Sequence, residues 1–209
     1  MKLFLASEDE NETTIEALRT YLNGFKGKKC YFIPTAINGE LDLGDSWQSF
    51  DIWKIVQDTG MEVFPFLLEN HREGVKLEDF TGVDVLWFTG GSAGYLIYWV
   101  RRTGLDQILP KLLDKYVYIG SSSGSWIASK SLDIAEWFIG EGEKGAANMD
   151  GLGLIDFDIY PHYDDSLYDQ IKQKYKGNKL YLLKDGEHVV VENSVITLFG
   201  EERIITNEN

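Results

Sequence analysis

The sequence predicts an α/β fold with a mostly parallel central sheet covered by helices on both faces. Three observations carry that prediction. Strand-sized apolar runs alternate with segments of helical periodicity along most of the chain. Several runs, above all Val83-Asp84-Val85-Leu86-Trp87-Phe88, are nearly continuous apart from one residue, which marks strands buried on both sides. Glycine-rich turns follow two of these strands, at the strand ends where open α/β sheets bind their ligands.

Each element has its own signal. Leu3 to Ala6 reads as a first strand. Thr13 to Phe25 reads as a helix, with Ile15, Leu18, Tyr21 and Leu22 at helical spacing and Gly24 and Gly27 ending it. Cys30 to Ile33 is a second strand, closed by Pro34. A polar stretch from Asn38 to Ser46 leads to a helix from Trp47 to Thr59, ended by Gly60. Glu62 to Leu67 is a third strand, and Pro65 places it at an edge or near its end. After the Val83–Phe88 strand come helices over Ser92–Thr103 and Leu105–Lys115. Tyr116 to Ile119 is a further strand, followed by Gly120-Ser121-Ser122-Ser123-Gly124 and a short helix carrying Trp126. Leu154 to Tyr160 runs into Pro161-His162, and Asp164 or Asp165 caps a helix to Tyr175. Short strands over Leu180–Leu183, Val189–Glu192 and Val195–Phe199 close the chain, with turns at Asp185-Gly186 and Glu192-Asn193.

Length and composition bound the function. The 209 residues suit one domain over 1–209 with a sizeable buried core. A net charge of −14 disfavours a nucleic-acid backbone or an anionic membrane surface as partner. Cys30 is the single cysteine, so no internal disulfide or zinc ribbon can form, and it reads as inert packing. His71, His162 and His188 are the only histidines, too few and too scattered to suggest a metal site. The start of the chain has no signal-peptide core and no apolar run is long enough to span a bilayer, so the expected location is the cytoplasm. The oligomeric state stays open, with Trp47, Trp53 and Trp99 as aromatics that an interface would use; the stripe of Tyr95, Trp99 and Val100 reads rather as core.

The residues from Gly120 to Gly124 match G-x-S-x-G with Ser122 at the centre, between an apolar strand and a helix. A serine on such a tight turn is exposed at the sheet's top, and the amide of Ser123 is a natural donor to an oxyanion. Ser121 and Ser123 are less central as nucleophiles. Thr89-Gly90-Gly91-Ser92 is a second strand-to-helix turn; it lacks the lysine of a phosphate loop, and its exposed amides suit a second oxyanion donor. His162, 40 residues beyond Ser122, is placed to act as base. His188 reads as an exposed turn residue and His71 as part of a polar loop. For the acid that orients the imidazole, Glu136 is favoured and Asp133 second, with Asp158 and Asp164 beside the histidine as alternatives.

With Trp87-Phe88-Thr89-Gly90-Gly91-Ser92, Tyr118-Ile119-Gly120-Ser121-Ser122-Ser123-Gly124-Ser125 and Ile159-Tyr160-Pro161-His162-Tyr163 in this order, the chain resembles the dipeptidase E family of serine peptidases, relatives of cyanophycinases. The resemblance spans most of the chain, including the tail Lys184–Val191. It implies a three-layer sandwich of the class I glutamine-amidotransferase-like (flavodoxin-like) type. It implies Ser122 as nucleophile, His162 as base, and Gly91 and Ser123 as the oxyanion hole; Glu136 matches the family's acid with a one-residue shift. Two departures are Ser123, where relatives carry alanine, and Ser92, where they carry asparagine. Dipeptidase E cleaves after an N-terminal aspartate and uses an arginine in the helix after the histidine. Here that helix, Ser166 to Lys174, has none, and Lys172 or Lys174 is the nearest substitute. The expected activity is therefore a serine-type peptidase acting on short peptides, with no metal or organic cofactor. A serine esterase and a non-catalytic binding domain that keeps the fold are the alternatives.

Overall fold

A computed structural model describes residues 1–42 and 45–207. Leu43 and Gly44, within the expected polar stretch, and Glu208 and Asn209, at the end of the expected 1–209 domain, lie outside the described residues.

The first half of the chain alternates strand and helix as read. It runs through β1 (Lys2–Ala6), α1 (Glu12–Tyr21), β2 (Lys29–Ile33), α2 (Thr35–Asn38), α3 (Asp51–Asp58), β3 (Glu62–Pro65), β4 (Val85–Phe88), α4 (Ala93–Arg102), α5 (Leu105–Leu112) and β5 (Val117–Ser121). The second half holds α6 (Ser123–Trp126), α7 (Asp133–Trp137), β6 (Asp158–Tyr160), α8 (Tyr168–Lys174), β7 (Lys179–Leu182), β8 (His188–Glu192), β9 (Val195–Phe199) and β10 (Ile204–Thr206).

Seven strands form one sheet in the order β3-β2-β4-β5-β1-β8-β9. The first five are parallel, while β8 and β9 run antiparallel to their neighbours. β3 is an edge strand, as Pro65 requires. Side chains of each central strand alternate between two faces. Leu3 and Leu5 join Leu86, Phe88 and Tyr118 in one apolar cluster, covered by Leu96 and Val100 of α4 and Leu105 and Leu109 of α5. Phe4 and Ala6 join Val85, Trp87 and Ile119 in the other, covered by Leu18 of α1 and Ile52 and Val56 of α3. The three layers of the predicted α/β sandwich are thus present. Isolated helices of eight to ten residues are marginal in water. Each fully buried Leu or Phe contributes about 1.5–3 kcal/mol, so the buried faces hold the helices in place.

A smaller sheet, β10-β7-β6, packs into the first cluster through Ile159, Leu180, Leu182 and Ile205. Its existence, and the elements α2, α7 and β10, were not legible from pattern. The expected strand over Leu154–Tyr160 is regular only from Asp158, although Ile155 and Phe157 are buried. The expected helix over Trp47–Thr59 breaks at Phe50, which is extended with ψ 142, between a 3-10 turn at Trp47–Ser49 and α3. The last hairpin turns on Asn193 and Ser194, both with positive φ (50 and 68), one residue later than expected. Trp47 and Trp99, considered for an exposed interface, are both buried; Trp99 and Val100 belong to the core. No described helix is long and apolar enough to cross a membrane.

Candidate active site

β5 ends at Ser121 and α6 begins at Ser123, so Ser122 alone makes the turn between them. Its φ of 47 and ψ of −109 lie where residues other than glycine are strained, at a cost of about 1–3 kcal/mol. The surroundings over-determine that conformation. The Ser122 N–H donates to the Ala6 carbonyl at 3.2 Å, and its carbonyl accepts from Ser125 and Trp126 at 2.8 and 3.0 Å. The Ser125 hydroxyl lies 2.8 Å from the Ala6 oxygen and 2.9 Å from that of Gly120. Tyr118 donates to the Gly124 carbonyl at 2.6 Å. Gly124 has no alternative in this packing: a Cβ there would sit 2.2 Å from the Phe88 carbonyl oxygen.

His162 follows β6 in the small sheet and reaches across to the end of the large one. Its Nε2 lies 3.3 Å from the Ser122 hydroxyl, and its Nδ1 lies 2.8 Å from Oδ1 of Asp185. With the Nδ1 proton held by a carboxylate, Nε2 is left free to accept from the serine. The backbone N–H of His162 donates to the buried Ser7 hydroxyl at 2.8 Å. That hydroxyl in turn sits 3.0 Å from Asp185 Oδ1 and 3.1 Å from the Leu183 carbonyl. Ser7 therefore fixes the histidine backbone and the carboxylate together.

The electrostatics match this geometry. Burial is the largest single influence on His162 and pushes its pKa down. The hydrogen bond and charge of Asp185, aided by Glu8 and Glu141, together outweigh it and hold the imidazole above its ordinary 6.5. Asp185 is held below the usual carboxylate range, first by its bond to His162.

The structure corrects the choice of acid. Glu136 does not approach His162; its carboxylate accepts from the backbone amides of Gly145 and Ala147 at 2.5 and 3.2 Å and shapes that loop. Asp133 lines a separate depression beside Trp137 and Lys174. Asp158 bonds the Tyr175 hydroxyl and Asp164 caps the turn before α8. Asp185 stands against the imidazole instead, and together with Ser7 it is what sequence reasoning missed. The pair Asp185-Gly186 carried only a turn signal. The other histidines are structural: His71 stacks on Phe66, and His188, expected to be exposed, is buried between Phe4 and Phe199.

Ser122 and His162 open on a cleft of about 540 Å³ that Gly91 and Ser123 also line. Among the described residues neither the Gly91 nor the Ser123 N–H has a hydrogen-bond acceptor. Gly91 must be glycine: its φ is +118, and a Cβ would lie 2.5 Å from the Ala36 carbonyl. The Ser123 hydroxyl donates to the Gly91 carbonyl, which ties the two turns together. Across the mouth, Glu143 accepts from Ala93 N, Gly94 N and the Ser92 hydroxyl at 2.6, 2.9 and 3.0 Å, closing the start of α4. Lys172 and Lys174 do not line the cleft; they sit over the rings of Tyr168 and Trp137.

Comparison with known proteins places the chain in a family. The sequence pattern of peptidase family S51 matches residues 3–199. An uncharacterized peptidase of Listeria monocytogenes is 26% identical over 93% of this chain and 96% of its own length. A peptidase E of Nostoc is 26% identical over 97% of this chain and 87% of its own. A crystal structure from Listeria monocytogenes, provisionally described as a peptidase E protein, superposes with a TM-score of 0.73 at 24% identity, covering 96% of this chain and 98% of that one. A peptidase from an acI-B1 Actinobacterium gives a TM-score of 0.64 at 18% identity, covering 98% of this chain and 89% of that one.

Proposed function

The chain belongs to peptidase family S51 and is a serine peptidase, and from that premise we propose that it hydrolyses short peptides through an acyl-enzyme on Ser122. The observation that carries the proposal is the continuous chain of contacts from Ser122 Oγ through the two ring nitrogens of His162 to Asp185.

In the proposed cycle His162 Nε2 takes the serine proton as Oγ attacks the scissile carbonyl. The carbonyl oxygen becomes an oxyanion, for which the unengaged amides of Gly91 and Ser123 are the available donors. Imidazolium, stabilised by Asp185, then protonates the leaving amine, the C–N bond breaks, and the ester on Ser122 remains. Water repeats the sequence: His162 removes its proton, the C–O bond to serine breaks, and Oγ recovers the proton. A dipeptide or similarly short peptide suits a cleft of about 540 Å³ that is walled by residues from several loops. The cytoplasm is the proposed place of action, where the free, buried thiol of Cys30 needs no oxidising partner.

The test is covalent labelling followed by turnover. A fluorophosphonate should label the wild type at Ser122 and fail to label Ser122→Ala. Dipeptides should be cleaved in preference to simple acyl esters of similar size. Absence of labelling in a folded protein, or full turnover by His162→Ala, would overturn the mechanism; ester preference would make it an esterase.

A further inference from the structure

We propose that the cleft selects peptides carrying a positively charged nitrogen group beside the scissile bond, and that Glu10, Glu40 and Glu141 are the residues that read this charge. The inference rests on Ser122 being the nucleophile, since that places the reacting carbonyl among these side chains.

The wall of the cleft is one-sided in charge. Carboxylates reach it from the loop after β1, from the end of α2, from the loop after α7 and from the segment before β8, whereas among the described residues no lysine or arginine lines it and His162 is its only basic residue. Four of the carboxylates have work within the fold. Glu8 accepts from the backbone N–H groups of Glu10 and Asn11, and Asp9 from the Trp87 indole. Glu143 caps α4, and Asp185 holds His162. Glu10, Glu40 and Glu141 are left over: all three are exposed, and among the described residues none is in an ion pair.

All three line the same cleft as the reacting histidine. Glu141 and Glu10 each interact electrostatically with His162, and Glu141 with Glu40. Partial burial first, and then repulsion from neighbouring carboxylates, holds Glu10 and Glu40 above the usual carboxylate range. A cation entering the cleft relieves that repulsion; an anion adds to it. Lys184 pairs with Asp165, and Arg203 with Glu187 and Glu201, none of which lines the cleft.

Among the described residues no three of the carboxylates, histidines or cysteine are grouped to ligate a metal ion. The rest of the wall points to an organic cation. Phe50, Ile52, Ile37 and Phe138 supply apolar surface on which the aliphatic stem of a lysine or arginine can lie while its head meets carboxylate. An α-ammonium group offers the same charge without the stem. The shared chemistry is therefore an ammonium or guanidinium group of the peptide.

The experiment compares kcat/KM for peptides X-Ala with X as lysine, arginine, norleucine or aspartate, each with a free and an acetylated N-terminus. It uses the wild type and the triple variant Glu10→Gln, Glu40→Gln, Glu141→Gln. Protection of Ser122 from fluorophosphonate labelling by the same peptides gives a second readout that needs no turnover. The expected result is a lysine-to-norleucine ratio of about tenfold or more in the wild type, aspartate last, and collapse of the ratio in the triple variant. An advantage that follows the free amino group whatever X is, and that is lost in the triple variant, assigns the recognised cation to the N-terminus. Equal rates for lysine and norleucine with free and blocked ends alike, or aspartate as the best residue, would overturn the proposal. Either result would come from a protein that still labels at Ser122. Loss of labelling altogether would count against the nucleophile, not against the charge selection.

Discussion

Asp185 Oδ1 lies 2.8 Å from His162 Nδ1, with His162 just past the end of β6 and Asp185 in the turn between β7 and β8. β8 starts beside the end of β1, with His188 opposite Ala6, because it runs antiparallel. The segment before β8 is thereby delivered to the same sheet edge as the ends of the parallel strands. His162 arrives there from β6 of the small sheet.

Two carboxylates can therefore be told apart by mutation. Asp185→Asn should lower kcat by roughly 10³–10⁴-fold, since an amide neither selects the productive tautomer nor stabilises imidazolium. Glu136→Gln should retain kcat within a few-fold and cost about 1–3 kcal/mol of stability, by weakening acceptance from Gly145 and Ala147. Steady-state kinetics together with urea unfolding separates the two outcomes. A large kcat loss in Glu136→Gln and none in Asp185→Asn would reverse the assignment.

Activity should fall as pH falls, with a half-point above 6.5. The base must be neutral to accept the serine proton, and Asp185 holds the His162 imidazole protonated to higher pH than usual. In the proposed mechanism protonated His162 cannot take the serine proton, so the loss is expected on the acidic side. NMR titration of the His162 ring should show its midpoint moving down in Asp185→Asn, because the dominant raising influence is removed while burial remains.

Asp9→Asn should stabilise the protein at alkaline pH and not at acidic pH. Burial, opposed only in part by hydrogen bonds from Trp87 and Ser121, pushes Asp9 up to about 7 from 3.8. Between these values the folded state binds a proton that the unfolded state has lost, so wild-type stability declines as pH rises through the window. The full penalty, on the order of 4 kcal/mol, is present above it. Asparagine keeps an acceptor for the Trp87 indole without the charge. Unfolding free energies at pH 4 and pH 8 should diverge between the two proteins only at the higher value.

Gly91→Ala should lose at least about 2 kcal/mol and most of its activity. The methyl would meet the Ala36 carbonyl at 2.5 Å, and φ +118 is itself unfavourable to alanine. A thermal melt measures the first effect and the labelling rate at Ser122 the second. Wild-type behaviour in both would show that the turn can relax without cost.

The strands, the helices that flank them and the serine turn were legible because each is written locally. Ser122 needed only its flanking glycines, a preceding apolar strand and a following helix. His162 needed only its place after a strand end. Continuous apolar runs such as Leu3-Phe4-Leu5-Ala6, which send Leu3 and Leu5 to one face and Phe4 and Ala6 to the other, dictated a sheet with two covered faces. Such signals act over a few residues and survive in the primary sequence.

The acid and the buried serine were decided by tertiary structure. Asp185 is 23 residues from His162, and Ser7 is 155 residues from it. Nothing in spacing distinguishes Asp185 from Glu136 or Asp133, since each lies near a turn or helix start. What places Asp185 is strand pairing: β7 runs parallel to β6, so the segments after the two strands lie side by side, and the antiparallel β8 begins where the other strands of the large sheet end. Pairing order and direction are set by which faces bury together across the whole chain. The sequence alone thus determined the fold class and pointed to a candidate nucleophile and a candidate base, while the pairing and direction of strands far apart in the chain decided which carboxylate stands behind the histidine.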